Sequence, residues 1–506
     1  MTDAANDSAS ALLDPGASPR REAPGVRLSR RAWLRGFAGA GAAHAACGAA
    51  HATASADPDP SSLLLKLVRR VTYHPTPEEL ALAAQLGYDG YLERQLNHLA
   101  LSDAALTAPL ARLTTLGMTY AQLLAINNSG QVRNELTEAL ILRAQLSSRQ
   151  LFERMVEFWT DHFSVDFTSG DCSLHKTIDD RDVIRPHALG TFPALLQAST
   201  RSPAMLVFLD NVSSNRIRPN ENYARELLEL HTMGVNSGYT QTDVQEVARC
   251  FTGWRVRPDS SGPTAGQFYF DAAAHDEGQK VVLGNVIPAN GGMADGVRVA
   301  QILAEHPATA AFIAGKLTRW LLGEHASASV VRDVAPVYTS TSGDIKAMVR
   351  RALRPEHLHD ASPKLKRPFH LCASALRAVG GVITSTSRLR TELRLAGHSP
   401  YSWKTPDGYP DTFEHWSGLV QPRWNFAATL GNQSLTGVTL DFSVFFAGAA
   451  GVDAMMARLN ERLFGGEMSP DEFEHVRQYM LPEPTTTSKL RDAVGLALST
   501  PSFQWF

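Results

Sequence analysis

Helical periodicity is the feature that most constrains this chain. From Leu63 onward, apolar residues recur three and four positions apart, a spacing that gathers them on one face of an α-helix. Leu63 to Val71, Pro77 to Leu86, Tyr88 to Leu96 and Gln131 to Leu146 all show it, usually with Pro, Gly or Ser between segments. Ser148 to Val165 is a strong case, with Leu151, Met155, Phe158 or Trp159, and His162 or Phe163 on the inward stripe. Asp166 to Asp182 is polar and contains glycine, and reads as loop. Strand signal is thin, its best candidate a hairpin pairing Phe268–Phe270 with Val281–Leu283. A length of 506 residues would allow three domains at about 150 each. With no internal repeat and no low-complexity linker, the expectation is instead one all-α, multi-helix domain over residues 57–506, with long loops and at most a small β-hairpin.

The segment before this domain has a different character. Ser29-Arg30-Arg31-Ala32-Trp33-Leu34-Arg35 is followed by 21 residues without a formal charge, Gly36 to Ala56, of which eleven are Ala and four Gly. The run is too weakly apolar to span a membrane. A twin-arginine-type signal peptide over residues 1–56 is expected, with Ala54-Ser55-Ala56 as the cleavage site and the twin-arginine machinery as export partner. The alternative is an Ala-rich cytoplasmic tail. Beyond Ala56 the balance is 42 basic to 47 acidic residues, which gives no electrostatic reason to expect nucleic acid as a partner. Removal of Cys47 would leave Cys172, Cys250 and Cys372, so at most one disulfide could form; Cys250 and Cys372 read as buried.

The densest polar segment is Asn220-Glu-Asn-Tyr-Ala-Arg-Glu-Leu-Leu-Glu-Leu-His231. Asn220 is placed as its N-cap and Gly234 as its end. The next helix opens with Thr240 and Asp243 in a capping box and with Tyr239 and Val244 as a staple. Glu226, Glu229, His231 and, from the Ser148 helix, His162 could supply oxygen and nitrogen ligands to a divalent metal. Glu226 could also act as a general base beside Arg225. The bland reading makes Glu221, Arg225 and Glu229 an ion-pair ladder and His231 a C-terminal cap. Glu153, Glu157 and Asp161, four apart, suit a metal face but are expected to form a solvated one. His275, Asp276 and Lys280 lie in a loop, where they could transfer protons or simply build an Asx turn. Tyr401, Trp403, Tyr409, Trp416 and Trp424 read as a loop folded by its own aromatics, with a sugar-stacking platform as the alternative. No Gly-x-Ser-x-Gly, His-Glu-x-x-His or GxxxxGK[ST] occurs in residues 57–506, which disfavours the usual serine hydrolases, zincins and P-loop nucleotidases.

Taken together, the Asn220–Gly234 block, Tyr239-Thr-Gln-x-Asp-Val244 and Ala248-Arg-x-Phe-Thr-Gly-Trp254 resemble the exported bacterial family called domain of unknown function 1800. Glu157-Phe-Trp-x-x-His-Phe163, His275-Asp-x-Gly-x-Lys280, His306-Pro-Ala308, Lys316-Leu317, Pro406-Asp-Gly-Tyr-Pro-Asp411 and Leu498–Gln504 follow in the family's order. One position departs: Thr160 stands where members often carry a second histidine, which weakens any metal site needing both. The resemblance implies a helical exported protein of unsettled activity, often encoded beside an exported family similar to alkaline-phosphatase-type sulfatases. Two functions are expected from it. One is an acid/base or metal-assisted enzyme of the periplasm or cell surface, with Glu226, Glu229, His231 and His162 lining a cleft under a loop carrying His275, Asp276 and Lys280. The other is a non-catalytic scaffold or partner of a co-exported phosphatase/sulfatase-like protein.

Overall fold

Helices account for 65 % of the described residues and strands for 5 %. The structure is a computed structural model and describes residues 60–235, 237–481 and 486–506; the signal-peptide reading of residues 1–56 lies outside them. Contacts group Asp57–Phe506 into one unit. No helix among the described residues is long and apolar enough to cross a membrane.

Ten helices position the site: α1 (Ser129–Leu146), α2 (Gln150–His162), α3 (Cys172–Asp179), α4 (Glu221–Glu226), α5 (Gln241–Cys250), α6 (Met293–Glu305), α7 (Pro307–Leu322), α8 (Pro368–Val379), α9 (Val420–Gly431) and α10 (Thr487–Ser499). They build two large cores. The first gathers Leu151, Met155 and Trp159 of α2 with Leu227, Val247, Phe251, Leu303 and Leu317. The second gathers Leu136 and Leu140 of α1 with Phe369 and Leu376 of α8, Leu430 of α9 and Val494 of α10. Helix α2 therefore belongs to one core and α8 to the other, and the seam between them is polar. There Arg154 Nη1 meets His370 Nδ1 at 2.6 Å and Arg367 Nη2 donates to Glu157 Oε1 at 2.7 Å.

Local signals set the helix ends. The Asn220 side chain accepts from Tyr223 N at 3.1 Å, and Thr240 and Asp243 form the reciprocal capping box. The α4 segment does not stay α-helical, because residues Leu227–Thr232 widen into a π-turn in which Met233 N reaches Leu228 O at 2.8 Å. Such turns insert one extra residue per turn and re-aim the side chains beyond them. His231 consequently points into the core, 2 % exposed, rather than capping a C-terminus.

Two expectations are corrected. Asp166–Asp182 is largely helical, comprising α3 and a π-turn over Asp180–Ile184. Some of its polar residues are buried in pairs: Lys176 Nζ lies 2.6 Å from Asp179 Oδ2, and Ser202 Oγ donates to Asp179 Oδ1 at 2.6 Å. The strand segments exist, but they pair with other partners. β1 (Trp254–Val256) is antiparallel to β2 (Phe268–Phe270), with Trp254 opposite Phe270, and β3 (Lys280–Val282) is antiparallel to β4 (Asn285–Ile287). The β3–β4 link is the two-residue turn Leu283-Gly284, both at positive φ (50° and 77°), the conformation that joins right-twisted strands. Asp243 Oδ1 accepts from Leu283 N at 2.8 Å, holding that turn on α5.

Candidate acid/base site

The carboxylates of α2 are not a solvated face. Glu153 and Glu157 are buried. Arg185 Nη2 meets Glu153 Oε1 at 2.5 Å, and Tyr73 Oη donates to Glu157 Oε2 at 2.9 Å. Arg367 spans the next turn, with Nη2 on Glu157 and Nη1 2.6 Å from Asp161 Oδ2. A planar guanidinium suits that task because its fork reaches two acceptors at once. The Trp320 ring lies 5.0 Å from its Cζ. An apolar stripe in sequence marks one buried face only, whereas α2 is enclosed on nearly all sides and needs buried cations for its acids.

Asp161 lies at the open end of this row. Burial pushes its carboxyl up to about 6; Arg367 opposes the rise, while Glu157 and Asp411 add to it. Lys316 on α7 shows the complementary shift. Burial pulls its ammonium down to about 8, although Asp161, Asp407 and Asp411 all favour its charge. Its Nζ stands 5.6 Å from the Phe312 ring centroid and forms no ion pair among the described residues.

The loop at Pro406–Asp411 closes the cluster. Gly408 has φ +77°, and a Cβ there would lie 2.0 Å from the Asp161 carbonyl oxygen, so only glycine allows the loop to approach the end of α2 this closely. Beyond it, Lys364 Nζ holds Asp411 Oδ2 at 2.5 Å. Half-buried Glu226 is coupled to Asp407, and burial with its neighbours Glu229 and Asp407 raises its carboxyl. Asp161, Lys316, Glu226, Asp407 and Asp411 are thus linked in one electrostatic neighbourhood. Asp161 at about 6 and Lys316 at about 8 lie on either side of neutral pH, which is what proton transfer requires of its donors and acceptors, and Glu226 is displaced upward beside them.

The other anticipated site residues divide between this neighbourhood and structural roles. His162 Nε2 lies 3.0 Å from the His231 carbonyl oxygen, and the two rings are 6.2 Å apart. Burial, with Lys316 adding to it, lowers both imidazoles, His231 to about 3, so both are neutral at pH 7. His162 Nδ1 and His231 Nε2 are buried without a hydrogen-bond partner among the described residues. Glu229 accepts from Tyr239 Oη at 2.6 Å and lies 3.5 Å from Arg225 Nη1, while Arg225 Nη2 donates to Gln241 Oε1 at 2.7 Å. Among the described residues no group of three or more His, Cys, Asp or Glu is placed to hold a metal ion. The expected ligand set of Glu226, Glu229, His231 and His162 is therefore not assembled, because Glu229 turns to Tyr239 while the π-turn sends His231 into the core.

His275, Asp276 and Lys280 form no cover over a cleft. The side chains of His275 and Lys280 are fully buried, His275 Nε2 lying 3.1 Å and Lys280 Nζ 2.6 Å from Asp295 Oδ2 on α6. His275 Nδ1 reaches the Thr252 carbonyl at 2.7 Å. Asp276 accepts from Gly278 N at 2.9 Å, as an Asx turn does, and pairs with Arg249 Nε at 2.8 Å. This network ties the hairpin to α5 and α6.

Arg367 and Lys364 drew no attention in the sequence. The available signal is Lys364-x-Lys366-Arg367 directly before Pro368, three cations in four residues. All three are buried. The aromatic stretch does fold on itself: Tyr409 packs on Trp403 at 4.8 Å and on Trp416 at 5.9 Å. Cys172, Cys250 and Cys372 are free and buried.

Fold and site together define a helical protein with a buried layer of charge at the seam of two cores and an acid/base cluster at its edge. The chain belongs to the family described as Protein of unknown function (DUF1800), whose sequence model matches residues 66–505. No curated protein and no solved structure gives a match.

Proposed function

We propose that this chain is an acid/base enzyme acting at the Asp161–Lys316–Glu226 cluster. The observation that carries the reading is the opposed displacement of Asp161, up to about 6, and Lys316, down to about 8. At pH 7 Lys316 is an ammonium without an ion-pair partner among the described residues, suited to steady negative charge growing on a substrate oxygen or to give that oxygen a proton. Asp161 and Glu226 are the bases that would accept a proton in the same step, and neutral His162 and His231 border them. The metal-assisted form of the reading draws no support from the donor geometry. The Arg30-Arg31 segment and Ala54-Ser55-Ala56 support export by the twin-arginine route and action in the periplasm or at the cell surface.

The test is competitive amine labelling followed by peptide mass spectrometry across pH. Lys316 is expected to titrate near 8, against 10.5 for an ordinary lysine, and Asp161→Asn is expected to lower it further by removing an attractive carboxylate. Hydrolysis of nitrophenyl esters, phosphates or glycosides that Lys316→Ala abolishes would identify the reaction class. A Lys316 inflection at the ordinary lysine value refutes the reading.

One observation favours the scaffold alternative: Glu229, His162 and His275 are each separately bonded to a side chain or a backbone carbonyl, as in polar networks that fix helix register. Co-purification of a phosphatase/sulfatase-like protein from the native host, unaffected by Lys316→Ala, would support it.

A further inference from the structure

A cleft of about 210 Å³ opens beside the Lys364–Asp411 ion pair, where the segments carrying Glu324, Ser362, Phe413 and Trp505 meet. Each of its two acids is tied down by one oxygen only. Lys364 Nζ holds Asp411 Oδ2 at 2.5 Å, and Phe413 N donates to Glu324 Oε2 at 2.7 Å. The other oxygens, Asp411 Oδ1 and Glu324 Oε1, accept no hydrogen bond among the described residues. Lys364 has no proton left for a ligand, because its three are taken by Asp411 and by the carbonyls of Arg319 and Trp320, at 3.2 and 2.9 Å. With His325 neutral, two carboxylates against one ammonium leave the walls with an excess of negative charge.

Aromatic rings supply the apolar part of the wall. Phe413 is 48 % exposed, yet its ring is held by stacking on Trp505, with centroids 5.4 Å apart and planes 25° from parallel. An antiparallel bridge to Leu365 pins the Trp505 backbone. Trp416 is buried and donates from Nε1 to the Pro410 carbonyl at 2.7 Å. The platform is thus fixed before a ligand arrives, which keeps the ordering cost of binding low. The hydroxyls of Ser362 and Thr412 also line the cleft and make no hydrogen bond among the described residues. Charge and donor pattern together select the ligand. The excess negative charge disfavours an anion, and an aliphatic chain would bury the open oxygens and hydroxyls without partners. A sugar ring meets both demands, with a C–H face for an aromatic ring and hydroxyls that donate to carboxylates.

We propose that this cleft binds a neutral sugar, one pyranose unit of a glycan, with its C–H face on Phe413 and its hydroxyls donating to Asp411 and Glu324. Asp411 also borders the Lys316 cluster, but the proposal stands apart from the acid/base reading, since it concerns binding and uses neither Lys316 nor Asp161 nor Glu226.

Saturation-transfer NMR of the full chain with cellotetraose, maltotetraose and N-acetylchitotetraose tests it, with choline and glucuronate as charged controls. At least one of the three oligosaccharides is expected to bind, with saturation strongest at its ring C–H protons. Phe413→Ala should weaken that sugar at least about tenfold, the worth of one aromatic contact, with the melting temperature unchanged because the ring is half exposed. Glu324→Gln is the second variant. It keeps an acceptor oxygen for Phe413 N and puts a donor where the open carboxylate oxygen stood, and should weaken the sugar by about 10- to 100-fold. The Lys316→Ala chain should bind the sugar as the native chain does, so a failure of the acid/base reading is told apart from a failure of this one. If none of the three oligosaccharides binds, or if one binds equally to the native chain and to the Phe413 and Glu324 variants, the proposal is overturned. Choline or glucuronate binding as tightly as the sugars overturns the assignment of a neutral ligand.

Discussion

Replacing Asp161 by Asn tests the most consequential feature of the site, a carboxyl held largely out of water beside a cation. The Asp161 carboxyl rises from 3.8 to about 6 on folding. In that interval the native state binds a proton that the unfolded chain has already released. Stability contributed by this group is therefore fully present below pH 3.8 and declines as pH rises to about 6. One pH unit corresponds to about 1.4 kcal/mol, so the loss is at most about 3 kcal/mol. It is an upper bound because the side chain is 21 % exposed and solvent screens part of the effect. Asparagine cannot titrate. The difference in unfolding free energy between the native sequence and Asp161→Asn isolates this carboxyl from every other group that changes with pH. Urea unfolding, followed by intrinsic tryptophan fluorescence, should show that difference falling by up to about 2 kcal/mol from pH 4 to pH 7, in disfavour of Asp161. A pH-independent difference, or one that grows with pH, would refute the claim that burial outweighs Arg367 at this position.

Two further outcomes follow from the same contacts. Gly408→Ala would set a methyl group 2.0 Å from the Asp161 carbonyl at φ +77°; a left-handed penalty plus overpacking should cost about 2–5 kcal/mol, visible as a lower melting temperature and faster proteolysis within Pro406–Asp411. An unchanged melting temperature would mean that the loop does not seat on α2. Burial pushes the thiols of Cys172 and Cys250 up to about 12 and that of Cys372 up as well, so peptide mapping after disulfide-reagent treatment at pH 8 should find all three unmodified in the native protein and all modified in urea.

The legible parts of this protein are those governed by neighbours in sequence. The Thr240–Asp243 capping box and the Asn220 cap are set within one or two turns of chain, and the structure reproduces them. The segments Phe268–Phe270 and Val281–Leu283 are recognisable as extended, but their partners are not, since pairing depends on where the chain returns. Polarity was the unreliable guide. Lys176, Asp179, Glu153, Glu157 and Arg367 have the composition of a surface and the location of a core, and a charge is tolerated there only when a specific opposite charge from a distant segment meets it.

The sequence by itself determined the helical class, the principal caps, the burial of Cys250 and Cys372 and the membership of a family spanning residues 66–505. Periodicity and capping are short-range properties, and a single chain displays them without its fold. Only the tertiary structure decided that Asp161, Lys316, Glu226 and the Pro406–Asp411 loop share one neighbourhood, that Arg367 bridges Asp161 and Glu157, the latter 210 positions away in the chain, and that His231 turns inward through a π-turn. Proton affinities depend on burial and on charges brought together by folding. The chemistry of this site therefore comes into existence with the packing of α2, α7 and the Gly408 loop.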